Sequence, residues 1–141
     1  MSPRQGEFRA GFLALAAVVL VLDAGFWWFA HAQHQTTARI GFLVAFVLLL
    51  ALLAVAAGLV RWEIAAPLGA ASTSGLFFVG ASAIFSVGFG FLLAAVVEAA
   101  LVRRMVLDTS PVGWRGGTGL ISSAAAVVPA VLFAVGLAAL R

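Results

Sequence analysis

The chain contains no cysteine, lysine, tyrosine or asparagine, and only 9% of its residues are charged. Without cysteine there can be no disulfide, no thiolate metal site and no haem–thiolate ligation. An ordinary soluble domain carries about 25% charged residues, so this chain has too few to cover a water-facing surface. A soluble globular protein and a disordered one are both excluded. All eight positive charges are arginines, spread over five polar segments, and the net charge is only +3. The high pI of about 11.5 therefore reflects no basic stripe, and nucleic acid is not an expected partner. Side chains able to do acid–base or ligand chemistry reduce to Asp23, Glu98, His31, His34 and a few charges at segment ends. There is no nucleophile–base pair, metal motif or glycine-rich phosphate loop, so neither catalysis nor a cofactor is expected.

What the chain has in quantity is apolar side chains, 65% of 141 residues. The composition is that of an integral membrane protein. Arg39 and Arg61 bracket residues 40 to 60, 21 positions without a charge. At 1.5 Å per residue this run is about 31 Å long, the hydrocarbon thickness of a bilayer. A first helix is expected over 10–30, with Arg4 and Arg9 before it and the aromatic run Phe26, Trp27, Trp28 and Phe29 at the headgroup boundary. A basic start, an apolar run and Ala30-His31-Ala32 also resemble a secretory signal peptide. Asp23 and the bulky aromatics stand between that run and the small residues, which favours an uncleaved helix.

No charge occurs between Glu63 and Glu98, a stretch too long for one upright helix. Its Pro-, Gly-, Ser- and Thr-rich part, residues 67 to 75, reads as a loop. A third helix follows over 76–102, and a fourth over 119–140 with Thr118 as its N-cap and a kink near Pro129. The expectation is one all-α domain, a multi-pass bundle of four antiparallel transmembrane helices in the inner or plasma membrane of a bacterium. Both termini then lie on one side, and the arginines divide four against four, so the positive-inside rule gives no orientation.

Asp23 and Glu98 are the two acids inside apolar spans. A charged acid near a helix centre costs about 2.5–3.5 kcal/mol on insertion scales, so it needs a partner or a proton. The four-span topology places both at similar depth near the arginine-rich face. They can serve as an ion or proton site, or simply pair with Arg39, Arg103 or Arg104. Ser82, Ser86, Gly90 and Ala94 recur at steps of four and form a ridge of small residues suited to close helix packing. Arg103, Arg104, Trp114 and Arg115 make a basic, aromatic patch for lipid headgroups or a docking partner. His31 and His34 form H-x-x-H, a weak metal candidate with no third histidine to complete it.

Two functions fit. One is an accessory or structural subunit of a larger membrane complex, packing through helix contacts with other subunits in the bilayer. The other is a small homo-oligomeric ion- or proton-coupled transporter or channel that uses Asp23 and Glu98.

Overall fold

The computed structural model describes residues 3–34, 37–83, 88–109 and 115–140. These residues are helical, with five helices rather than four: α1 (Pro3–Ala32), α2 (Ala38–Leu59), α3 (Trp62–Ser82), α4 (Gly88–Thr109) and α5 (Arg115–Ala139). Four of them, α1, α2, α3 and α5, are long and apolar enough to cross a membrane. The all-helical membrane fold is thus as expected, and α2 matches the charge-free run between Arg39 and Arg61 almost residue for residue. Thr37 caps α2, its Oγ1 accepting from the Ile40 amide at 3.4 Å.

The correction concerns the expected loop over 67–75 and the expected third helix over 76–102. Residues 67 to 75 lie inside α3, and the break falls between Ser82 and Gly88. The physical reason is packing. Gly, Ser and Thr end helices in water, where their backbone finds other partners. In a bilayer the backbone must bond within its own helix, and small residues are where neighbouring helices come close. Gly69 faces the side chains of Val102 and Phe12, and Gly75 faces Leu50; a Cβ on either would overlap them. The small residues of α3 thus mark its contacts with α1, α2 and α4.

Inter-helix contacts fix the topology. Phe12 lies beside Gly58, Leu50 beside Gly75, Leu92 beside Gly80 and Val102 beside Gly69. The pairs α1/α2, α2/α3 and α3/α4 are therefore antiparallel along their lengths. Phe42 lies beside Gly136 and Phe46 packs on Phe133, so α5 is antiparallel to α2. Arg9 donates to the Leu59 carbonyl at one end of α2, and Arg39 donates to the Leu140 carbonyl at the other, 3.0 Å away. The chain runs along the bundle five times, so Pro3 and Leu140 lie at opposite ends of it. Four of the five helices are apolar enough to span a bilayer, as expected, and α4, with Glu98, Arg103, Arg104 and Asp108, is not among them.

α3 is the centre, contacting α2, α4 and α5, while α1 closes the far side against α2 and α4. Leu15, Val19, Phe46, Leu50, Leu76, Phe91 and Phe133 form the main core, and Phe12, Ala57, Ala66 and Met105 a smaller one toward the N-terminal end. α5 starts at Arg115, so Thr118 lies within it rather than capping it, and the helix continues through Pro129.

Candidate functional site

Glu98 is fully enclosed, with no exposed surface, in the middle of α4. The residues that enclose it come from helices that the small residues of α3 bring together. Ser72, also fully buried, places its Oγ 3.0 Å from Glu98 Oε2 and 3.1 Å from the Leu50 carbonyl oxygen of α2. A serine hydroxyl has one proton. Ser72 can share its proton between the two acceptors, and when Glu98 itself carries a proton it can donate to Ser72 Oγ, leaving Ser72 to donate to Leu50. The chain Glu98–Ser72–Leu50 is then complete. Glu98 Oε1 has no hydrogen-bond partner among the described residues.

Asp23 is also buried, at 5% exposure, and its Oδ1 likewise has no partner among the described residues. The two acids are not at one depth, as the four-span reading had them. α1 runs antiparallel to α4, with Gly11 beside Leu101 and Leu22 beside Gly90. Asp23 is therefore level with Gly90, and Glu98 lies eight residues further along α4, about 12 Å away along the axis. The acids occupy two separate levels of the bundle. Neither forms an ion pair among the described residues, where Arg61 and Glu63 make an exposed one at 3.3 Å. Arg103 and Arg104 are exposed, five and six residues beyond Glu98.

The small-residue ridge is not one ridge. Ser82 ends α3, where it donates to the Phe78 carbonyl at 2.8 Å, while Gly90 and Ala94 belong to α4. Ser86 lies outside the described residues. Ala94 is buried, and Gly90 meets the end of the Leu22 side chain, so these two do pack against α1. Trp114 lies outside the described residues, and Arg115 is the first residue of α5. His31 ends α1, stacked on Trp27. His34 has left the helix with φ 55°, so the two imidazoles do not share the helical face that H-x-x-H requires. The described residues hold no group of three or more potential metal ligands.

A second feature adjoins Glu98. α5 lies against α3 but scarcely touches α4. The gap is a cleft of about 430 Å³, floored by α3 and walled by α4 and α5. Thr73 of α3 and Ser122 of α5 line it, and both hydroxyls are buried with no hydrogen-bond partner among the described residues. Thr73 Oγ1 sits near the Glu98 carboxyl, outside hydrogen-bond geometry.

Ser72 and Thr73 are the residues that sequence reasoning missed. The available signal was arithmetic. The uncharged stretch from residue 64 to 97 is too long for one helix, and a break after residue 82 leaves residues 62 to 82 the length of one full span. No family model, curated protein or solved structure matches this chain.

Proposed function

We propose that this protein moves an ion or small solute across the membrane in exchange with a proton held at Glu98. The observation that carries the reading is the enclosed Glu98 carboxyl, which has a hydroxyl partner and no cation among the described residues. An acid in such a place is costly, and membrane proteins hold one chiefly where a proton or cation must bind. Asp23, about 12 Å away along the axis, supplies a second station at another level of the bundle.

Infrared difference spectra of the reconstituted protein between acid and alkaline pH test the reading. A carboxylic-acid carbonyl band that changes with pH is expected, and it disappears in Glu98→Gln. A wild-type spectrum without such a band overturns the proposal. The apolar reagent dicyclohexylcarbodiimide gives a second readout, since it attacks protonated carboxyls inside membranes and is expected to label Glu98.

A second reading, the accessory subunit, has its own support. α5 is held mainly through α3, and Gly117 and Gly119 at its start face open space. A further helix could lie there. Gentle solubilisation from native membranes separates the two readings: a stoichiometric larger partner favours the subunit, and a homo-oligomer alone favours the transporter.

A further inference from the structure

We infer that Glu98, Ser72, Thr73 and the Leu50 carbonyl together form a binding site for one sodium ion. The inference rests on the reading of Glu98 as an ion-handling acid and names the ion that alternates with its proton. Three observations carry it.

The first is the donor set. Glu98 Oε2 lies 3.0 Å from Ser72 Oγ, and Ser72 Oγ lies 3.1 Å from the Leu50 carbonyl oxygen. Thr73 Oγ1 stands beside the same carboxyl. Carboxylate, hydroxyl and backbone oxygens from α2, α3 and α4 thus meet at one place, with no nitrogen or sulfur among them. Hard cations take oxygen ligands of these kinds.

The second is what hydrogen bonding leaves over. Glu98 Oε1 and Thr73 Oγ1 are both buried, and neither has a hydrogen-bond partner among the described residues. A proton on Glu98 completes the link to Ser72 and leaves these two oxygens unserved. Side chains that ligate one ion turn their lone pairs to a point between them rather than a hydrogen toward each other. Neighbouring oxygens without a mutual hydrogen bond are the mark of that arrangement.

The third is charge, size and depth. The site has one carboxylate, and no arginine pairs with it among the described residues. A monovalent cation makes the enclosed site neutral, whereas a divalent one leaves a net charge in an apolar core. Calcium also wants about six to eight oxygens, and magnesium keeps several waters, for which an enclosed site has no place. Ligand oxygens as close as these close around a small ion, and potassium would hold them further apart. Ser72 is the eleventh of the 21 residues of α3, about 15 Å from either end. Transported ions are held at such a middle level, equally far from both faces.

Equilibrium binding of radioactive sodium to the purified full chain, in alkaline choline buffer, tests this. One sodium per chain is expected, displaced by unlabelled sodium or lithium and not by a large excess of potassium. Glu98→Gln should abolish binding. Thr73→Val is the sharper variant. It keeps the shape of the side chain and removes one ligand oxygen, so affinity should fall about tenfold or more. Because it deletes a buried hydroxyl that has no hydrogen bond, it should unfold no earlier than the wild type in sodium-free buffer. It should also lose most of the stabilisation that sodium gives the wild type. A wild type that binds no sodium overturns the inference, and so does equal displacement by potassium. Thr73→Val binding as tightly as the wild type, or unfolding earlier without sodium, overturns it as well. The infrared band of Glu98 is read in sodium-free buffer, which keeps the two readings apart. Its presence beside a failed sodium assay removes the sodium site alone, and its absence removes the proton reading.

Discussion

α3 and α5 lie side by side, run in the same direction, and each contains a proline, yet they meet opposite surroundings. Half of the apolar stretch of α3 is buried in the protein, against 11% of that of α5, although α5 is the more apolar of the two. In water this order would be reversed. In a bilayer, lipid tails are as apolar as leucine, so an apolar surface gains nothing by turning inward. What turns inward is whatever allows backbones to approach or polar groups to be paired. α3 has both, in Gly69, Gly75, Gly80 and Ser72, and α5 shows lipid its Leu120, Val127, Val131 and Val135.

Glycine substitutions put this contrast at risk, and the largest effect should come from Gly80→Leu. A Cβ at Gly80 would lie 2.9 Å from the Gly88 carbonyl oxygen and 2.9 Å from the Leu92 amide nitrogen. Both are backbone and cannot step aside, so the α3–α4 hairpin must open. A loss of about 3 kcal/mol or more is expected, read as a shift in detergent-induced unfolding. Ser72→Ala comes next. It leaves the Glu98 carboxyl without its partner at a cost of about 1–3 kcal/mol, and a double mutant with Glu98→Gln should recover part of that loss. Unchanged stability in Ser72→Ala would show that the buried chain is not hydrogen-bonded as described. Gly90→Leu should cost only about 1 kcal/mol at its first carbon, since a Cβ there meets the flexible end of Leu22 at 3.1 Å. Gly119→Leu in α5 should stay within about 0.5 kcal/mol, because nothing lies within 4 Å of its Cβ position. If Gly80→Leu and Gly119→Leu shift unfolding equally, the contrast between a protein-facing and a lipid-facing helix fails.

The same contrast explains what could be read from the sequence. α2 was legible because two arginines bracket a run that has no charge, no proline and no serine or threonine. α3 was not, because the letters that end a helix in water are those that let helices touch in lipid. The choice between them depends on Val102, Phe12 and Leu50, which lie far away in sequence. The site followed suit. Glu98 stood out as an acid in an apolar run, whereas Ser72 was hidden in a segment read as loop. The depth of Asp23 relative to Glu98 depended on the number of helices, so one misplaced break moved it by about a third of the bilayer thickness.

That extra helix also decides how the chain can enter a membrane. Along the bundle, Arg4, Arg9, Arg61, Arg103, Arg104 and Arg115 belong to one end, and Arg39 to the other, among the described residues. If α4 crosses the bilayer with the four apolar helices, the positive-inside rule predicts the N-terminus in the cytoplasm and the C-terminus away from it. The absence of native cysteine makes this direct to test. A membrane-impermeant thiol reagent applied to intact cells should label Ala139→Cys and spare Gly6→Cys. Labelling of both cysteines, or of neither, would show that α4 stays on one side of the membrane, and its charges Glu98, Arg103, Arg104 and Asp108 would then set the number of crossings at four.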